Sequence, residues 1–150
     1  MTSLGIAVGY PSAGKGRPVV TCVVLAGTRA SATVVDAFDL KTSADVLVEQ
    51  VVDVAKALSS KLSGMSVESI VIRRADRPPV ASRAAAPHKR LLIEGAFVLV
   101  SREHCDDVAV RDGHEMGEML GSNKATAVDA GKRLDSRRAD AAAAALTGLT

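Results

Sequence analysis

SLGIAVGY (residues 3–10), PVVTCVVLAG (residues 18–27) and TVVDAFDL (residues 33–40) are the three segments that decide the fold. Each is a short run rich in β-branched residues. PSAGKGR separates the first two runs, and the third follows Gly27, Thr28 and Arg29. Runs of this kind, bounded by glycine and proline, predict strands joined by turns. The first 40 residues therefore predict a three-stranded antiparallel meander.

The hydrophobic period changes after Ser43. Apolar residues now recur at steps of three and four, which is the spacing of one face of a helix. They are Leu47, Val51, Val54, Leu58 and Leu62. We predict an amphipathic helix with Ser43 as its N-cap and Gly64 as a left-handed exit.

The rest of the chain alternates between strand-like and helix-like segments. VESIVI (residues 67–72) is predicted to be a fourth strand, which a right-handed crossover would place parallel to an earlier one. Residues 76–87 contain three prolines and are expected to form a loop. KRLLIEGAFVLVSRE (residues 89–103) is predicted to be a buried helix and residues 107–111 a fifth strand, whereas residues 114–120, 124–134 and 138–149 are helical. The fold class is α/β, with a five-stranded mixed sheet, flanking helices and the order β-β-β-α-β-α-β-α-α, in one domain spanning residues 1–150.

Composition restricts the function. With 47% hydrophobic and 24% charged residues, the 150-residue chain is typical of a globular protein. An aromatic content of 2% disfavours a stacking platform for single-stranded nucleic acid. A net charge of +2 is too small to steer the whole molecule onto a polyanion, although a local basic patch stays open. The two cysteines do not resemble a secreted disulfide framework, and no apolar run reaches about 18 residues, so we expect a cytoplasmic protein without membrane contact.

Two motifs come close to known sites. GYPSAGKG (residues 9–16) nearly matches a P-loop, but Gly16 replaces the hydroxyl residue, and a strand-like segment follows where a P-loop needs a helix. A hairpin turn is the better interpretation. His104, Cys105 and His114 are the densest group of zinc-ligand types, but the adjacency of the first two is unlike a tetrahedral site. No pattern of a hydrolase triad is present.

Four segments, in order, resemble the RuvC-type Holliday junction resolvases of the RNase H-like superfamily, and the resemblance covers most of the chain. LGIAVG (residues 4–9) resembles the GIDPG opening of that family, and IVI (residues 70–72) stands where the family has a strand ending in Glu. KRLLIEGA (residues 89–96) resembles its second main helix, and RRADAAA (residues 137–143) its closing D-x-x-D-A helix. The resemblance implies an RNase H-like fold and a homodimer.

The resemblance also implies a nuclease site, which this sequence departs from. Such nucleases hold two divalent cations with four carboxylates. At the four corresponding positions stand Ala7, Arg73, Arg137 and Asp140. Asp140 is thus the only match to a catalytic residue, and we predict that it is inactive and that the chain has no metal site.

Several basic residues lie at or beside this former metal site, and we predict that they bind the phosphate backbone of DNA or RNA. They are Arg73, Arg74, Arg77, Lys89, Arg90, Arg137 and Arg138, with Arg83 nearby. The competing interpretation is that Asp76, Asp135 and Asp140 pair with them as ordinary ion pairs.

Three functions remain open. The leading hypothesis is a non-catalytic RuvC-like module that binds nucleic acid as a homodimer. A first alternative is a structural or protein-interaction homo-oligomer that has lost nucleic-acid binding, which the low net charge and few aromatic residues favour. A second is an active magnesium-dependent endonuclease in which acids such as Asp36, Asp76 or Asp135 replace the lost carboxylates. Only the last requires a cofactor.

Overall fold

The computed structural model describes residues 1–11, 16–76 and 85–150, with the side chains of Ala85 and Ala86 excepted. Its strands are β1 (Thr2–Gly9), β2 (Val19–Ala26), β3 (Thr33–Lys41), β4 (Ser69–Arg73) and β5 (Val108–Arg111). Its helices are α1 (Leu47–Ser63), α2 (Ala85–Arg102), α3 (Gly113–Met119), α4 (Lys124–Leu134) and α5 (Ala139–Gly148).

The five strands form one mixed sheet in the order β3-β2-β1-β4-β5. The pairs β1–β2 and β2–β3 are antiparallel, and β1–β4 and β4–β5 are parallel. The predicted meander and the predicted mixed sheet are both confirmed. β4 follows α1 by a crossover and lies directly beside β1, so the two strands end at the same edge of the sheet.

Alternate residues of β1 serve two separate cores, because successive side chains of a strand point to opposite faces. Leu4, Ile6 and Val8 pack in a cluster with α1 and α2. Ala7 faces the other side and packs against α5. The sheet is therefore a central layer, with α1 and α2 on one face and α3, α4 and α5 on the other.

α5 lies unusually close to β1 because small residues meet at the contact. A Cβ atom added to Gly5 would lie 1.9 Å from the Ala141 carbonyl oxygen and 2.4 Å from the Ala145 backbone nitrogen. Only glycine at position 5 leaves room for the helix backbone there. This contact fixes where the N-terminal end of α5 lies relative to the end of β1.

The predicted start of α1 is wrong, whereas its end at Gly64 is predicted correctly in position. The helix begins at Leu47, and its N-cap, Val46, makes no side-chain hydrogen bond. Ser43 lies in the irregular segment between β3 and the helix, in which Thr42 accepts a hydrogen bond from the Ala44 N–H and donates one to Asp53. Gly64 has φ −102°, so the predicted left-handed exit is also wrong.

The second half of the chain differs from prediction in three details. α2 begins at Ala85, inside the predicted loop, and Pro87 sits in its first turn, where a helix tolerates proline. α2 is buried on one face only, since Leu91, Leu92 and Leu99 are 50%, 57% and 67% exposed. Three helices follow β5, at the three segments predicted to be helical, although the predicted order of elements counts only two there. No helix in the described ranges combines the length and the apolar character needed to cross a membrane.

Candidate nucleic-acid interface

A surface cleft of about 450 Å³ opens where β1 ends. The end of β1, the start of β2 and the segment leading into α5 form its walls. It is lined by Ala7, Val8, Gly9, Tyr10, Pro11, Val19, Thr21, Ser136, Arg137, Arg138, Ala139 and Asp140. The carboxyl ends of parallel strands in an open α/β sheet are where ligands usually bind, and this volume is in the range of small-ligand sites.

The structure brings the four positions of the predicted nuclease site to one edge of the sheet. Ala7, Arg137 and Asp140 all line the cleft. Arg73 pairs in register with Ala7 on the neighbouring strand, so both side chains leave the sheet on the face that α5 covers. Asp140 is an exposed residue in the first turn of α5.

Arg73 does not point into open solvent. Its side chain is buried, and its Nη2 lies 3.0 Å from Asp76 Oδ1, with a further hydrogen bond from Nη1 to the Arg74 carbonyl oxygen. Asp76 also accepts hydrogen bonds from the Lys124 ammonium group and the Gly113 N–H. We call Arg73, Asp76, Gly113 and Lys124 the β4 corner. It joins the end of β4 to the first residues of α3 and α4.

The charge of Asp76 is strongly favoured in this corner. Burial alone would raise its pKa, but the hydrogen bonds from Lys124, the Gly113 N–H and Arg73 outweigh burial and lower the pKa well below its ordinary value. A Cβ atom on Gly113 would come within 3.0 Å of Lys124 and Arg73 side-chain atoms, so glycine leaves room for both cations. The single carboxylate of Asp76 therefore pairs with both cations of the corner.

A second buried carboxylate, Glu94 of α2, lies close to the end of β4. It accepts a hydrogen bond from the Ala75 N–H at 3.2 Å. Arg90 Nε approaches its other oxygen to 3.3 Å, but the two atoms are too poorly aligned for a hydrogen bond. Burial raises the pKa of Glu94, and the neighbouring Arg90 only partly opposes this. The predicted phosphate-binding Arg90 thus already has a carboxylate partner.

Arg74 and Arg138 are also held by acids. Arg74 Nη2 lies 2.8 Å from Asp112 Oδ2, and Asp112 in turn caps the N-terminus of α3. Arg138 donates to Asp39 at 2.8 Å and to Asp135 at 3.2 Å. Four of the seven predicted phosphate-binding residues, counting Arg73 and Arg90, therefore form ion pairs inside the protein.

The surroundings of Arg137 and Lys89 differ from those of these four arginines. Arg137 is exposed on the rim of the cleft, and among the described residues its guanidinium group has no hydrogen-bond or ion-pair partner. The Lys89 ammonium group lies 5.8 Å from the centre of the Tyr10 ring, and Tyr10 lines the cleft. Arg77 and Arg83 lie outside the described residues.

The acids considered in the sequence analysis as alternative metal ligands do not converge on Asp140. Asp76 belongs to the β4 corner, and Asp135 is bound by Arg138. Asp36 lies on the edge strand β3, where its carboxylate accepts a hydrogen bond from the Ala37 N–H. Within residues 1–11, 16–76 and 85–150, no three His, Cys, Asp or Glu side chains are close enough together to hold a metal ion.

The two near-miss motifs have structural roles where they are described. β2 follows residue 16, as the hairpin interpretation requires, although residues 12–15 of the P-loop-like segment lie outside the described ranges. His104 contacts the Ser59 hydroxyl, Cys105 is a buried free thiol, and His114 pairs with Glu118.

Sequence reasoning misses two residues of this region. Tyr10 lies in the P-loop-like segment that is interpreted as a hairpin turn, so it is given no functional role, although it directly follows the strand whose end builds the cleft. Lys124 is missed because its partner, Asp76, is distant in sequence and the contact depends on how α4 packs. A search for polar or aromatic residues just after each parallel strand would find Tyr10.

Two solved structures share this architecture. The structure of Thermus thermophilus RuvC matches with a TM-score of 0.69 at 18% identity, covering 98% of this chain and 92% of that one. The RuvC of the same organism in complex with a Holliday junction substrate also gives 0.69, at 20% identity, with 98% and 91% covered. No protein-family model and no curated protein sequence matches the chain. The chain therefore has a RuvC-like fold of the RNase H-like type.

Proposed function

We propose that this chain is a RuvC-like domain that binds nucleic acid through the cleft and does not cleave it. The observation that carries the proposal is the composition of the cleft at the former metal positions. Ala7 lines the cleft, and Asp140 is the one carboxylate among its described lining residues. The exposed guanidinium of Arg137 stands where the resemblance places a second acid.

These residues do not fit a pair of divalent cations. Magnesium prefers several oxygen ligands, and a two-metal site uses carboxylates to balance the charge of both ions. Asp140 supplies one such group, Ala7 supplies none, and Arg73 adds a positive charge that Asp76 already neutralises. We therefore infer that binding does not depend on a metal ion.

Phosphate is the ligand group that suits the rim of the cleft. Arg137 offers a fork of donors that matches a phosphate, and it precedes the N-terminus of α5, where the helix dipole also favours an anion. A RuvC of this fold has been captured with a Holliday junction substrate, which supports nucleic acid as the class of ligand. We propose that Arg137 makes the main contact and that the paired arginines chiefly hold the protein together.

The test is binding of the purified protein to labelled duplex and four-way-junction DNA over a salt series, with magnesium and with a chelator, on gels that also report cleavage. We expect salt-sensitive binding in both conditions and intact DNA throughout, because phosphate contacts release counterions whether or not a metal is present. Magnesium-dependent cleavage that Asp140→Ala abolishes would contradict the proposal and select the nuclease with relocated carboxylates.

A second candidate, a homo-oligomer with no nucleic-acid function, is favoured by one observation. Leu91, Leu92 and Leu99 expose their side chains along one side of α2. A Cβ atom added to Gly95, which lies between them, would have no neighbouring atom within 4 Å. An apolar helix face that stays accessible in a monomer suits a second copy of the chain. We infer a homodimer through α2, which is compatible with either function.

Sedimentation velocity separates these possibilities. We expect a dimer that Leu92→Asp dissociates and that Val48→Asp, a change at an exposed valine of α1, leaves intact. A stable dimer that binds no DNA at any salt concentration would select the second candidate. A monomer at high protein concentration would contradict the inferred interface. Both cysteines are buried free thiols, which supports a reducing compartment, and we infer that this is the cytoplasm.

A further inference from the structure

Tyr10 is the one aromatic residue among the described residues that line the cleft. It directly follows β1 and lines the cleft together with Arg137 and Asp140. Its ring is partly buried and packs against the core formed with α1 and α2. The chain has a single tyrosine and no tryptophan, and this one tyrosine lies at the cleft instead of deep in the core.

Two contacts fix the orientation of the ring. The Tyr10 hydroxyl lies 3.5 Å from Gln50 Oε1, and the buried Gln50 amide is itself anchored to the Ala44 carbonyl oxygen at 3.1 Å. The Lys89 ammonium group approaches the ring from α2, 5.8 Å from its centre. The ring is therefore held between β1, α1 and α2 before any ligand arrives, which lowers the entropic cost of using it as a binding surface.

An aromatic ring beside a cation suits a nucleotide whose base is not paired. Every nucleobase has a π-face that can stack on such a ring, and duplex DNA does not offer that face because its bases are stacked on each other. The phosphate of the same nucleotide would then meet a cation at the cleft, and Arg137 is exposed on its rim.

We propose that the cleft binds an unstacked nucleotide, with its base on the Tyr10 ring and its phosphate at Arg137. The inference rests on the proposed nucleic-acid function and adds the class of substrate: a strand with accessible bases, as at a junction, bulge or single-stranded end. Tyr10 is then a binding residue for the base, and Lys89 and Gln50 are positioning residues for Tyr10.

The intrinsic fluorescence of the protein reports on this contact directly. All tyrosine emission comes from Tyr10, and there is no tryptophan to mask it. A short single-stranded oligonucleotide should quench this emission on binding, whereas an abasic strand of the same length, which keeps the phosphates and lacks the bases, should bind more weakly and leave the emission unchanged.

Substitutions give a second measurement. Tyr10→Leu should weaken binding of the single-stranded oligonucleotide about tenfold and leave binding of the abasic strand unchanged, since stacking of one base contributes on this order. Tyr10→Phe keeps the ring and should bind almost as tightly as the wild type. The matched control is Phe38→Leu, which removes another partly buried aromatic ring, one that Lys61 covers at 4.8 Å and that does not line the cleft.

The outcomes distinguish the two levels of the proposal. Failure to bind any nucleic acid would overturn the proposed function and this inference together. Binding without selective quenching, or unchanged affinity of Tyr10→Leu, would overturn this inference alone. The cleft would then contact only the sugar-phosphate backbone of the nucleic acid. Should Tyr10→Leu fail to fold, the quenching comparison on the wild-type protein decides the question.

Discussion

The β4 corner and the N-terminal end of α5 each carry an arginine, in opposite surroundings. The sequence resemblance predicts a metal-binding acid at both positions. Arg73 in the corner is 4% exposed and is neutralised by Asp76. Arg137 beside α5 is exposed and has no side-chain partner in the described part of the chain. Burial and the nearest acids, not residue type, decide whether an arginine can bind a ligand.

The two regions are also held in place by different forces. The corner depends on charge, because Asp76 connects a buried guanidinium, an ammonium group and a backbone N–H. The α5 end depends on small residues, because Gly5 lets the helix backbone approach β1. Changes of charge should therefore affect stability at the corner and binding at the α5 end, and changes of volume should affect stability at the α5 end.

The largest effect is expected for Gly5→Ala. The new methyl group would collide with backbone atoms of Ala141 and Ala145, which cannot move aside as a flexible side chain would. We expect a loss of about 3 kcal/mol in the free energy of unfolding, measured by urea denaturation. Gly95→Ala is the control, because that position is open and alanine favours helices. The stability of this variant should equal or slightly exceed that of the wild type. Equal stabilities for Gly5→Ala and wild type would show that α5 is not packed on β1 as described.

Asp76→Asn should produce the next largest effect. Removing one partner of a fully buried ion pair costs about 3–5 kcal/mol. Because Asp76 is itself partly exposed, we expect a loss of about 2 kcal/mol at neutral pH. Asp129→Asn, which removes an exposed partner of Lys132, should cost less than about 0.5 kcal/mol. Equal losses for the two variants would mean that the β4 corner does not stabilise the fold.

The pH dependence of the stability difference between wild type and Asp76→Asn tests whether this difference is electrostatic. Folding lowers the pKa of Asp76, so the carboxylate contributes stability above the ordinary value of about 3.9 and loses it as the pH falls through the lower, folded value. The stability gap between wild type and Asp76→Asn should be constant from about pH 7 to pH 5 and then shrink steadily below about pH 4. A gap that stays constant or widens in acid would point to packing instead of charge.

The local pattern of the sequence predicts most of the fold. The alternating runs locate β1, β2 and β3 to within a residue or two, because a strand's side-chain period is set locally. α1 starts later than the pattern predicts because hydrogen bonds among Thr42, Ala44 and Gln50 keep residues 42–45 outside the helix. Such competition between local partners is not visible in the hydrophobic period.

The site is only partly predictable. The positions of Ala7, Arg73, Arg137 and Asp140 at one sheet edge follow from strand order, and resemblance supplies that order. The partners of the arginines could not be predicted, since Asp39 meets Arg138 and Asp112 meets Arg74 only after the sheet and helices have packed. The low aromatic content argues against a stacking surface, whereas the structure places the single tyrosine in the cleft.

The most direct test of the account is the salt dependence of junction-DNA binding by Arg137→Gln in the presence of a chelator. We expect about tenfold weaker binding than wild type and a salt slope reduced by about 0.9, the value for one lost phosphate contact. The control is Arg102→Gln, which changes an exposed arginine at the C-terminal end of α2. Its DNA binding should match that of the wild type. Unchanged affinity and slope for Arg137→Gln, or wild-type binding that appears only with magnesium, would contradict metal-free phosphate binding at this cleft.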